Sequence, residues 1–77
     1  MIFCVEDDRA ARDLMVYAFQ AAGYDAKGFS DGKAFFCALK EELPDLVMLD
    51  IMLPGEDGIS ILKRLRGSAV TMGIPVI

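Results

Sequence analysis

Two apolar tetrads, each running directly into acid, constrain this chain more than any other feature. Ile2-Phe3-Cys4-Val5 leads into Glu6-Asp7-Asp8, and Leu46-Val47-Met48-Leu49 leads into Asp50. Runs that are apolar at every position fit strands covered on both faces, the usual condition of a parallel sheet beneath helices. The intervening segments carry helical spacing instead. Strands alternating with helices of this length predict a parallel sheet with right-handed crossovers. In such a sheet the acids emerge together at the carboxyl edge, where open α/β sheets bind ligands.

The segments between the tetrads complete a β-α-β-α-β-α order. From Arg9 to Ala22 the residues Ala11, Leu14, Met15, Ala18 and Ala22 recur at helical spacing, and Gly23 supplies a C-terminal stop. Tyr24 to Phe29 predicts a short, weaker strand, with Tyr24, Ala26 and Phe29 as its apolar members. Ser30 or Asp31 can cap a second helix whose inward face is Ala34, Phe35, Ala38 and Leu39. After Pro44 and the second strong strand, Asp57 caps a third helix. It turns Ile61, Leu62 and Leu65 inward and Lys63, Arg64 and Arg66 outward. Residues 67–73 read as a loop, and Ile74-Pro75-Val76-Ile77 opens another strand. No repeat or linker interrupts this pattern, which predicts one small domain.

Composition narrows the partners. A chain of 77 residues with 55% hydrophobic content is too apolar for disorder. No apolar stretch approaches the roughly 20 residues that span a bilayer, and no signal-peptide pattern opens the chain. A net charge of −4 without a basic cluster argues against direct nucleic acid contact by this segment. Histidine is absent, which removes the commonest general base and any histidine-based zinc site. Cys4 and Cys37 belong to no metal or redox motif and read as buried or half-buried free thiols. A reducing, cytoplasmic setting follows from that reading. Carboxylates gathered at one sheet edge repel one another unless a cation sits among them. The pattern therefore points to a divalent-metal site with one carboxylate left to do chemistry.

Glu6-Asp7-Asp8 after a hydrophobic strand, and then Leu49-Asp50-Ile51-Met52-Leu53-Pro54-Gly55-Glu56-Asp57-Gly58, closely resemble the CheY-like receiver domain of bacterial two-component response regulators. Gly23-Tyr24, Asp31-Gly32 and Pro44-Asp45-Leu46-Val47 match in the same order, so the resemblance covers essentially the whole chain. It implies a flavodoxin-like, doubly wound parallel sheet. Residues 1–77 would hold the first three βα units and the start of strand 4, a partial receiver domain. The resemblance makes Asp50 the phosphoacceptor, taking a phosphoryl group from a sensor histidine kinase or phosphotransfer protein. It also implies a Mg²⁺ cofactor held by Asp7 directly, by Glu6 through a water, by Asp50, and by the backbone carbonyl of Met52. Pro54, Gly55 and Gly58 would shape the following loop, while Asp8 stays outside the metal set. Enzymatic activity would extend at most to autophosphorylation and autodephosphorylation at Asp50.

The chain departs from the full family pattern by stopping inside the fourth strand. The hydroxyl residue that closes that strand, the aromatic switch position and the lysine ending the fifth strand are not among these residues. Two readings stay open: a phosphoacceptor signalling module, or a non-enzymatic binding or assembly fragment inactive for want of the hydroxyl and the lysine. A phosphatase or mutase with an aspartyl nucleophile fits less well, because Met52 stands where such enzymes usually carry a second aspartate. No output domain is present in this chain. The edge at Val76 and Ile77 is expected to promote self-association.

Overall fold

Ile2–Val5 form β1, the central strand of a parallel sheet. In the computed structural model, which describes residues 1–50 and 57–77, β1 lies between β2 (Ala26–Phe29) and β3 (Leu46–Leu49). Helices α1 (Arg9–Ala21), α2 (Gly32–Leu39) and α3 (Gly58–Gly67) alternate with the strands. Val76 forms a parallel bridge to Val47. Val47 N–H donates to Pro75 O at 2.9 Å and Leu49 N–H to Ile77 O at 2.8 Å, so the next strand opens beside β3. The order β2-β1-β3 followed by residues 75–77 is the doubly wound arrangement expected.

Successive β1 side chains point to opposite faces, and both faces are covered. Phe3 and Val5 join Phe35, Val47, Ile61 and Leu65 in one core cluster beneath α2 and α3. Ile2, Cys4 and Ala26 form a second cluster, packed by Met15, Val16 and Phe19 of α1. That two-sided cover is why all four β1 residues are buried. Phe3 meets Phe29 edge-on with ring centroids 4.9 Å apart, and Phe35 at 6.2 Å.

Asp8, Asp31 and Asp57 cap the three helices. Each carboxylate accepts a hydrogen bond at 2.8 Å from a backbone N–H three residues on: Ala11, Ala34 and Ser60 respectively. For α2 the cap is therefore Asp31 rather than Ser30. At the far end of α1, Gly23 adopts φ 96°. Tyr24 N–H donates to Phe19 O and Gly23 N–H to Gln20 O, both at 3.0 Å, which is the Schellman pattern. Alanine at position 23 would have to enter left-handed backbone. Gly23→Ala is expected to cost about 1 kcal/mol or somewhat more in urea unfolding, although open space surrounds the site.

Several sequence expectations are corrected. Leu14 is 68% exposed and Ala18 and Ala22 face solvent; the inward stripe of α1 is Met15, Val16 and Phe19. Those three also have helical spacing, and they bury more apolar surface than the alanines would. Tyr24 belongs to the helix stop and not to β2, and it is 60% exposed. Ala34 faces solvent, while Phe35, Phe36, Ala38 and Leu39 pack inward. Cys4 is fully buried but Cys37 is exposed; both are free, and burial pushes the Cys4 thiol up. Residues 68–74 are more than a passive loop. Thr71 Oγ1 donates to Leu65 O at 2.7 Å, and Arg66 Nη1 donates to Met72 O at 2.7 Å and Ile74 O at 2.8 Å. These bonds steer the chain back alongside β3.

Candidate metal centre

Strand register sets the site. Val5 pairs with Leu49, so Glu6 and Asp50 are the next residues on two adjacent strands. Asp50 N–H donates to Val5 O at 3.0 Å, and Glu6 N–H donates to Phe29 O at 2.9 Å. α1 packs on one face of the sheet here and α3 on the other. This is the switch point at which open α/β sheets form a crevice.

Glu6, Asp7 and Asp50 converge there. Each offers one carboxylate oxygen, and these oxygens all lie within 4.8 Å of one another. Glu6 and Asp50 are half-buried and Asp7 is exposed. Asp8 is turned away into its capping bond with Ala11. Ionised carboxylates only accept hydrogen bonds, so a cluster this tight needs either a shared proton or a cation. The Glu6 carboxyl is accordingly pushed up to about 7, first by its contact with Asp50, then by burial and by Asp7. Its Oε2 is buried without a hydrogen-bond partner.

This donor set suits a hard divalent ion. Three carboxylates and no sulfur or imidazole match magnesium better than zinc. A cation with its bound water would give the orphaned Glu6 oxygen a partner and remove the need for a proton. Gly58 is buried at the start of α3, directly after the Asp57 cap. Backbone N–H groups at that cap hold the Asp57 carboxyl below the usual range. Met52, Pro54 and Gly55 lie outside the described residues.

The shared proton gives the metal-free chain a pH signature. Between the ordinary glutamate value of 4.5 and about 7, the folded chain keeps a proton on Glu6 that the unfolded chain has released. Stability therefore falls as pH rises through that window. We expect a melting temperature several degrees higher at pH 5 than at pH 7.5. Glu6→Gln should flatten that slope, and a thermal scan showing the same slope in both proteins would contradict the account.

One contact at the site carries no sequence signature. Arg12 Nη1 donates to Glu6 O at 2.9 Å and, more weakly, to Asp7 O at 3.4 Å. Nothing in a helical arginine's spacing reveals which carbonyls it will reach.

Residues 2–77 match the family described as the response regulator receiver domain. The chain belongs to that family. It is 40% identical over 76 residues to the DNA-binding dual master transcriptional regulator RpaA of Synechocystis, covering 99% of this chain and 32% of RpaA. It is 34% identical over 76 residues to the DNA-binding response regulator MtrA of Mycobacterium tuberculosis H37Rv, again with 99% and 32% coverage. The chain thus spans about a third of the length of these relatives. Among solved structures it resembles the N-terminal domain of a response regulator receiver protein from Methanoculleus marisnigri. That likeness has a TM-score of 0.92 and 35% identity, and covers 97% of this chain and 61% of the other. The family and the flavodoxin-like fold agree with the expectation from the motifs. Receivers as a family are phosphoacceptors in two-component signalling. No helix among the described residues is long and apolar enough to cross a membrane.

Proposed function

We propose that this receiver accepts a phosphoryl group on Asp50 and uses Mg²⁺ held by Glu6, Asp7 and Asp50. The observation that carries the reading is the convergence of three carboxylate oxygens within 4.8 Å at the strand ends. Asp50 is the group best placed to react. It directly follows β3, beside two acids that can hold the cation. An Asp50 oxygen attacks phosphorus, the bond from phosphorus to the donor's leaving atom breaks, and an acyl phosphate forms. The leaving group departs with the electron pair of the broken bond. When bound, the cation supplies charge neutralisation of the phosphoryl oxygens. Asp7 would ligate directly and Glu6 would act through a water, while the Met52 carbonyl expected beside them lies outside the described residues. Gly58, buried at the start of α3, would serve as scaffold next to the site.

The donor is a phosphohistidine on a sensor kinase or phosphotransfer protein, and a small acyl phosphate substitutes for it in the test. Incubation with Mg²⁺ and acetyl phosphate, followed by intact-mass measurement, should give one phosphoryl adduct per chain. Its absence at millimolar Mg²⁺ would favour the alternative of a non-enzymatic binding module. Relatives such as MtrA are DNA-binding response regulators by name, which suggests an output domain that binds DNA. For the protein carrying this receiver, it is part of the proposal only.

A further inference from the structure

We propose that Arg12 is a positioning residue for the Glu6–Asp7 acid pair, and that the bare backbone at Gly28 gives it the route to reach them. The inference rests on the metal-site reading above. Arg12 lies in α1, one residue past the Asp8 cap's partner Ala11, and its own N–H bonds to Asp8 O at 2.8 Å. Its side chain then crosses β2 at Gly28. A Cβ at position 28 would stand 2.7 Å from Arg12 Cγ, 3.0 Å from Arg12 Cδ and 3.1 Å from Val16 Cγ2. Those are packed inner atoms of the arginine, not its free end, so any side chain at 28 must displace it.

The reason for holding that path open is what the guanidinium does beyond it. It donates to Glu6 O at 2.9 Å and to Asp7 O at 3.4 Å. Both bonds leave the one Nη1 nitrogen, whose two hydrogens lie in the rigid guanidinium plane and reach the two neighbouring carbonyls from one point, whereas a lysine ammonium is held less firmly on its flexible stem. Because each peptide is a rigid plane, fixing a carbonyl also fixes the amide of the next residue. Glu6 N–H is already tied to Phe29 O and Asp8 is tied as the helix cap. Arg12 holds the two peptide planes between those anchors. Carboxylates at close quarters push this short segment outward, and the arginine opposes that movement while adding positive charge on its flank.

The test measures Mg²⁺ affinity by calorimetry in wild type, Arg12→Ala, Arg12→Lys, Gly28→Ala and the Arg12→Ala/Gly28→Ala double variant. Folding is checked for each by circular dichroism and urea unfolding. Arg12→Ala is expected to weaken Mg²⁺ binding about tenfold, the low end of what losing a group that orients metal ligands costs. Lysine should restore part of it, and Gly28→Ala should weaken binding in the same direction with Arg12 still present. Glycine-to-alanine in a strand otherwise favours folding, so lost affinity without lost stability separates positioning from general damage. In the double variant, Gly28→Ala should add nothing further, because its effect runs through Arg12. In the metal-free protein, carbonyl chemical shifts of Glu6 and Asp7 should move in both single variants. If Arg12→Ala does not fold, the Gly28→Ala protein decides the matter. Wild-type affinity in folded Arg12→Ala or in Gly28→Ala, or additive effects in the double variant, would overturn the inference. Failure of wild type itself to bind Mg²⁺ would instead overturn the metal-site reading, and the inference with it.

Discussion

Replacing Asp50 by asparagine is expected to abolish phosphoryl incorporation from acetyl phosphate, by roughly 10³-fold or more, as removal of a nucleophile commonly does. The amide lacks the anionic oxygen that attacks phosphorus, and no other group in the cluster stands at the end of β3. The fold should survive. Asparagine keeps the size of aspartate, and the backbone bond from residue 50 to Val5 O does not involve the side chain. A second readout accompanies the loss. Contact with Asp50 is the largest cause of the raised Glu6 value, so Glu6 should titrate closer to an ordinary glutamate in the variant. Intact-mass spectrometry and a carboxyl titration by NMR check the two effects. An undiminished phosphoryl adduct in Asp50→Asn would assign the chemistry to another residue.

Phe3→Ala is expected to destabilise the chain by about 3–5 kcal/mol, the usual cost of truncating a buried phenylalanine. Natural domains have only about 5–15 kcal/mol in total, and a short chain sits toward the low end. Phe3 is fully buried in the central strand and packs edge-on against Phe29 and Phe35, rings contributed by β2 and α2. Removing it opens a cavity beneath the strand that delivers Glu6 and Asp7. The urea midpoint should fall by a large fraction of its wild-type value, with Mg²⁺ binding lost as the chain unfolds. Leu14→Ala is the comparison, since Leu14 is exposed and its removal should change stability by less than about 0.5 kcal/mol. Equal shifts for the two variants would refute the placement of the core.

The features legible in the sequence were those whose pattern is itself the physical cause. β1 and β3 follow from unbroken apolar tetrads, and Asp57, with Asp31 as one of two candidates, signalled a cap because a short acceptor before a helix satisfies a free N–H; the Asp8 cap emerged only from the structure. The acid cluster followed from strand direction, once Val5 and Leu49 were expected to end side by side. Periodicity fails where two stripes compete. In α1 the alanine-containing stripe and the Met15, Val16 and Phe19 stripe both have helical spacing, and only packing against Ile2, Cys4 and Ala26 chooses between them. Tyr24 read as strand because its apolar character is local, whereas its place in the helix stop depends on the Phe19 carbonyl. Arg12, Arg66 and Thr71 were not legible as structural donors. Their partners are backbone carbonyls, which every residue has and no sequence distinguishes.

Calorimetric titration of magnesium into the metal-free protein, beside Asp7→Asn, tests the central claim most directly. The account predicts one saturable site per chain in wild type, and at least tenfold weaker binding once the directly ligating carboxylate becomes an amide. Heat indistinguishable from dilution in wild type, or equal affinity in Asp7→Asn, would contradict it.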